Sequence, residues 1–208
     1  MVTFKKEVEV KYPSKVDTTK AAFLDRDGTL NVDSGYVHRI EDWIWIPGSI
    51  EALGLLKRAG YLIVIVTNQA GIARGLYNED NLRSLHDWVQ GDLRLYNVEV
   101  DAFYHCPHHP DFGANRDCRC RKPKPGMLLA AAQDLRIDLR ASWMVGDKAS
   151  DIEAGLAAGV RTVHVMSGLG EGSHDIPSQA AQVTDLLEAA KFITSFAALD
   201  LGSSGGRS

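Results

Sequence analysis

Two carboxylates one residue apart, Asp25 and Asp27, flank Arg26 and are followed at once by Gly28. The apolar run before them, residues 21–24, reads as a strand, and Gly28 lets the backbone turn. In an open parallel sheet such a loop lies at the carboxyl end of its strand, where ligands of that architecture bind. The pair suits two chemistries. Carboxylate oxygens bind a hard cation such as Mg²⁺, and an Asp carboxylate can itself attack phosphorus to give an aspartyl-phosphate. On its own, Asp-x-Asp-Gly also fits a solvated turn. A Ca²⁺ loop is excluded, because Gly28 stands at position four instead of six and Tyr36 stands where the bidentate Glu belongs.

Further groups able to do chemistry recur along the chain. Thr67-Asn68-Gln69-Ala70-Gly71 is a second polar, Gly-containing stretch behind an apolar run, and Gly146-Asp147-Lys148 is a third. Between them lie Cys106-Pro-His108 and Cys118-Arg-Cys120, three thiols and an imidazole within reach of one tetrahedral Zn²⁺. An odd number of cysteines crowded beside histidines suits a metal better than a disulfide framework. Four protein ligands make a closed, structural site. His109 is an alternative to His108, and reduced cysteines without a metal are the plain alternative. Cys120 is followed by Arg121 and Lys122, so such a metal would anchor the segment that presents this lysine.

The elements that must position these groups follow from periodicity. Ser49 is expected to cap a helix carrying Ile50, Leu53 and Leu56 and ended by Gly60. Residues 62–66 read as a strand apolar on both faces, hence central and parallel. Asn78 can cap a helix with Leu82, Leu85, Val89 and Leu93 on one face, His86 being read as a surface residue and Trp88 as core. A strand at 98–104, a helix at 127–135, a strand at 142–145, a helix ending at Ala158 before Gly159, a strand at 161–166 and a helix over 184–196 complete the alternation. Asp151, in the first turn after Asp147, reads as an acid favoured by the helix macrodipole. Residues 31–47 read as a loop with a short β excursion. The alternation predicts an α/β fold, a doubly wound and mainly parallel sheet with helices on both faces.

At 208 residues the chain suits one domain. It is expected over 20–200, with the zinc loop at 105–121, an N-terminal arm at 1–19 and a Gly/Ser-rich disordered tail at 201–208. A net charge of -4 argues against a general nucleic-acid binder. The longest apolar runs are too short to span a bilayer, and Lys5, Lys6, Glu7 and Glu9 stand where a signal peptide would be apolar, so the expectation is a cytoplasmic protein without membrane attachment.

Asp25-x-Asp27-Gly-Thr, Thr67-Asn68, Lys122 and Gly146-Asp147, expected at four strand ends in this order, resemble the motifs of the haloacid dehalogenase superfamily of phosphohydrolases. The resemblance covers 21–166 and implies roles. Asp25 would be the nucleophile and Asp27 the general acid and then base, while Thr67 and Lys122 would hold the phosphoryl oxygens. Mg²⁺ would sit on Asp25, Asp27, through its carbonyl, and Asp147. The gaps between motifs leave no room for a large cap domain, so an open site is expected.

With the Cys/His loop the chain is similar to the heptose bisphosphate 7-phosphatases of that superfamily. Asn-Val-Asp-Ser-Gly-Tyr-Val-His, Val-Thr-Asn-Gln-Ala-Gly-Ile-Ala-Arg-Gly, Cys-Pro-His-His-Pro and Cys-Arg-Lys-Pro-Lys-Pro-Gly-Met carry the likeness. It implies substrate contacts from Asp33, Ser34, Gly35, Tyr36, Asn68, Gln69, Ala70, Arg121 and Lys148, structural Zn²⁺ on Cys106, His108, Cys118 and Cys120, and a small sugar-phosphate substrate taken by a monomer. Ala70 departs from the more usual Ser. Histidinol-phosphate phosphatases share the fold and this kind of zinc loop, and a broad phosphate-ester phosphatase or a non-catalytic binding module are the other readings.

Overall fold

The computed structural model describes residues 18–168 and 176–203, with the side chains of 197–203 excepted. The expected arm and the end of the expected tail, residues 1–17 and 204–208, lie outside the described residues. Among the described residues, six parallel strands form one sheet: β1 (Ala21–Leu24), β2 (Leu62–Asn68), β3 (Ala102–Cys106), β4 (Trp143–Gly146), β5 (Arg161–Val165) and β6 (Ala181–Val183). Their order is β3-β2-β1-β4-β5-β6. The helices are α1 (Ser49–Arg58), α2 (Glu79–Arg94), α3 (Gly126–Leu135), α4 (Ala149–Ala158) and α5 (Leu186–Ser203). This is the doubly wound arrangement the alternation predicts.

The pleat explains the two layers. In β1, Ala22 and Leu24 face a core shared with Leu53 and Leu56 of α1, Leu85 and Val89 of α2 and Ala189 and Ile193 of α5. Ala21 and Phe23 face the other side, against Met127, Leu128 and Ala131 of α3 and Ala154 of α4. Both faces are covered, so the central strands are apolar throughout. Truncating a side chain such as Ile65 to Ala would cost on the order of 2–5 kcal/mol.

Four local expectations are corrected. Ser49 is the first helical residue of α1, and the cap is Gly48, whose φ of 84° only a residue without Cβ adopts easily. β3 starts at Ala102 because the backbone of Val100 is already paired with the side chain of Gln90, at 2.9 and 3.0 Å, and is lost to the ladder. The β excursion is a single antiparallel bridge between Asn31 and Trp45. The last helix runs beyond Phe196 to Ser203, into the segment read as tail. No helix among the described residues is long and apolar enough to cross a membrane.

β1 is the strand at which the order reverses, with β2 on one side and β4 on the other. A crevice opens at the carboxyl ends there. Asp25 and Asp147 leave adjacent strands into it, and the Asp25 N–H donates to Val145 O at 2.9 Å.

Candidate active site

A cavity of about 220 Å³ occupies this crevice, lined among others by Asp25, Asp27, Thr67, Lys122, Lys148 and Asp151. Lys122 is at its floor. It does not stand at a strand end as expected; the loop between β3 and α3 delivers it. Its buried ammonium donates to Asp25 Oδ1 at 2.6 Å and Val66 O at 2.7 Å, and pairs with Asp151 Oδ1 at 2.7 Å. All three of its N–H groups therefore have an acceptor. Burial works against the Lys122 charge, but Asp151 and Asp25 outweigh it and raise its pKa.

Carboxyl groups outnumber cations here, and the proton equilibria show it. Burial, reinforced by Asp151, pushes the Asp25 pKa up although Lys122 opposes. Burial and then Asp25 push Asp147 up to about 8. Among the described residues, neither buried Asp147 oxygen has a hydrogen-bond partner. The space around them is kept by glycines: a Cβ on Gly28 or Gly168 would fall 2.3 or 1.9 Å from Asp147 Oδ2. An orphaned, confined carboxylate beside Asp25 is what a divalent oxygen-seeking cation needs.

Asp25, Asp147 and Asp151 bring carboxylate oxygens within 4.8 Å of one another. Of these, Asp151 is the least available, because it pairs with Lys122 and accepts from Lys148 N at 3.0 Å. The expectation that Asp151 is only a helix-terminal acid is thus corrected: it is buried and holds the lysine. The signal was its spacing, one helical turn past Asp147 on the same strand end. The Asp27 carboxylate is held by Arg26, Asn31 and Gln69, leaving its main-chain carbonyl as what it can offer a metal.

Several expected substrate contacts are committed elsewhere. Asn68 lines the cavity, but its amide is bonded to the backbone of Lys122. The Gln69 Nε2 donates to Asp27 Oδ2 at 3.0 Å and Thr67 Oγ1 at 2.7 Å, and its Oε1 accepts from the Tyr77 hydroxyl at 2.5 Å. Asp33, Gly35, Tyr36, Ala70 and Lys148 line the cavity. Ser34 and Arg121 are not among the lining residues, and Arg121 donates to His108 O at 3.1 Å. Lys148 reaches Asp33 at 3.1 Å, bridging two loops across the mouth. Tyr77 and Ser150 also line the cavity, and sequence reasoning missed both. His86, read as a surface residue, is buried against Phe103 and Arg26.

The Cys/His loop gathers as its spacing suggests. Cys106, His108, Cys118 and Cys120 bring their ligand atoms within 4.8 Å of one another. Cys106 Sγ lies 3.6 Å from Cys118 Sγ and 3.3 Å from Cys120 Sγ, and His108 Nδ1 lies 3.3 Å from Cys120 Sγ. These separations approach the edge of a tetrahedron around Zn²⁺, about 3.8 Å for Zn–S bonds of about 2.3 Å, and are far from a disulfide's. His109 points elsewhere, to Arg74 at 3.1 Å. Burial opposes ionisation of Cys118, yet hydrogen bonding at the Arg121 backbone and from the neighbouring ligands pulls its pKa down to about 7. The donor set fits a closed zinc site.

The HAD-hydrolase-like family model matches residues 119–190. The D-glycero-beta-D-manno-heptose-1,7-bisphosphate 7-phosphatase of Pasteurella multocida (strain Pm70) is 53% identical over 152 residues, 72% of this chain and 83% of that relative. The enzyme of the same name from Escherichia coli (strain K12) is 50% identical over 145 residues, 68% of this chain and 76% of that one. Among solved structures, the D,D-heptose 1,7-bisphosphate phosphatase of B. bronchiseptica, complexed with magnesium and phosphate, superposes with a TM-score of 0.77 at 36% identity, covering 85% of this chain and 99% of that one.

Proposed function

Because the chain belongs to the family of D-glycero-β-D-manno-heptose-1,7-bisphosphate 7-phosphatases, haloacid-dehalogenase-like hydrolases, we propose that it is a Mg²⁺-dependent phosphatase that removes the 7-phosphate of this heptose bisphosphate. The observation that carries the reading is the contact of Lys122 Nζ with Asp25 Oδ1, 2.6 Å, with the Asp147 carboxylate close to Asp25. It sets a nucleophile and a fixed positive charge on one small cavity, with a second carboxylate beside them.

Asp25 attacks phosphorus, the bond from phosphorus to the 7-oxygen breaks, and Asp27 gives its proton to that oxygen. Asp27 then takes a proton from water, which attacks the aspartyl-phosphate and releases inorganic phosphate, restoring Asp25. Lys122 and Thr67 hold the equatorial oxygens, where the charge of the transition state gathers. Asp25, the Asp27 carbonyl and Asp147 would hold Mg²⁺, which when bound offsets the charge of the carboxylates and the phosphoryl group as they approach. The backbone of Lys122 is fixed from two sides, by Asn68 and by the loop of Cys118 and Cys120, which would carry Zn²⁺ as a structural ion.

Arg121, next to Lys122, would turn from the His108 carbonyl to take the second phosphate, and Lys148 and Tyr36 would line the sugar. A substrate with two phosphates then gains over one with a single phosphate. Comparing kcat/KM for the heptose bisphosphate and for histidinol phosphate tests this. The bisphosphate should be preferred, and preference for histidinol phosphate would move the enzyme to the other branch.

A further inference from the structure

Arg26 sits between the two catalytic acids in sequence, yet it neither lines the cavity nor reaches solvent: its side chain is fully buried. Its fork closes on Asp27, with Nη2 2.8 Å and Nε 3.1 Å from both carboxylate oxygens. Asn31 Nδ2 donates to Oδ1 at 3.0 Å and Gln69 Nε2 to Oδ2 at 3.0 Å, so each oxygen is held from two directions. The guanidinium is fixed in its turn. Nη2 also donates to Val37 O at 2.6 Å, and Nη1 faces His86 Nε2 at 3.4 Å. His86 stacks on Phe103 of β3, ring centroids 4.4 Å apart. The direction of the Asp27 carboxylate is thereby tied to the loop at Val37, to α2 and to the sheet edge.

We propose that Arg26 is a positioning residue for the transfer: it sets the direction of the Asp27 carboxylate, and so governs both steps in which that carboxylate moves a proton. The proposal rests on the role of Asp27 given above. A planar, bidentate clamp fixes an angle as well as a distance, which a point charge does not. A buried arginine that served only the fold would support every reaction of the site alike. One that aims a proton donor matters most where the leaving oxygen needs a proton.

Leaving-group chemistry separates the two. The alkoxide of a sugar departs poorly without a proton, whereas p-nitrophenolate departs without one; hydrolysis of the aspartyl-phosphate needs Asp27 in either case. Arg26→Lys and Arg26→Gln should therefore lose about 100-fold more kcat/KM on the heptose bisphosphate than on p-nitrophenyl phosphate. With the aryl ester they should show a burst of p-nitrophenolate as the phosphoenzyme accumulates, Lys retaining more activity than Gln. Asp27→Asn, measured alongside, should show the same pattern more strongly. Equal losses on both esters without a burst, in folded Arg26 variants, would overturn the proposal while leaving the role of Asp27 intact. Failure of both Arg26 variants to fold would assign the residue to the fold and overturn it equally. Equal losses in Asp27→Asn would sink the role of Asp27 itself, and the proposal with it.

Discussion

Asn68 and Lys122, 54 residues apart in the chain, exchange two hydrogen bonds of 3.1 Å: the Lys122 N–H donates to Asn68 Oδ1, and Asn68 Nδ2 donates to Lys122 O. The end of β2 thus grips the backbone that carries Lys122, the lysine proposed to hold the phosphoryl group. Such a side-chain amide reproduces a strand pairing where the loop has none. It explains why Asn follows Thr67 at this strand end without invoking contact with substrate.

From this grip we predict that Asn68→Ala lowers kcat/KM by about 10–100-fold, the equivalent of one or two lost hydrogen bonds at about 1–1.5 kcal/mol each. Secondary structure should be retained. Steady-state kinetics with circular dichroism checks it, and an Ala variant with undiminished kcat/KM would remove Asn68 from the account.

His86 gives a pH dependence of stability. Burial first, then Arg26, lowers its pKa from 6.5 to about 3, so the folded chain keeps it neutral where the unfolded chain binds a proton. Its neutral form contributes fully above pH 6.5, and stability falls as pH drops from 6.5 towards 3, by at most about 1.4 kcal/mol per pH unit for one proton. His86→Phe, which keeps the stack on Phe103, should flatten that slope. Denaturant melts at pH 5 and pH 7 measure it; an unchanged difference between the two pH values would show that His86 does not titrate in this way.

Removing the Zn²⁺ proposed for the Cys/His cluster should loosen a loop and spare the sheet. The chain from 107 to 121 buries little apart from its thiols, whereas the strands bury their apolar faces in two separate cores. We expect Cys118→Ser to lose the metal, raise amide exchange over 107–121 and cut activity, while the dependence on Mg²⁺ persists. Metal analysis and hydrogen exchange follow both. Full activity in a zinc-free protein would contradict the supporting role of this ion.

The sequence carried much of this architecture, for physical reasons visible in particular residues. Asp25, Thr67 and Asp147 announce themselves because each ends an apolar run, and the pleat then brings three neighbouring strand ends to one crevice. Cys106 and Cys118 are legible because soft ligands crowd within a short span. Asp151 and His86 were misread, since an acid in a first turn and a histidine on a helix look the same whether they face water or a buried cation. Only the tertiary fold puts Lys122 beside the first and Arg26 beside the second. The helix at Ser49 was placed correctly and capped wrongly, because Gly48 provides the left-handed turn that a side-chain cap would otherwise replace.

The central claim is that Asp25 takes the phosphoryl group while Asp27 moves protons. Acid quench of the enzyme during turnover of heptose bisphosphate labelled in its 7-phosphate, followed by digestion in acid, where the acyl phosphate survives, and mass spectrometry of the peptide spanning 21–32, tests it most directly. The label should be found on Asp25, should vanish in Asp25→Asn and should persist longer in Asp27→Asn. Label on Asp27, or substantial turnover by Asp25→Asn, would contradict the account.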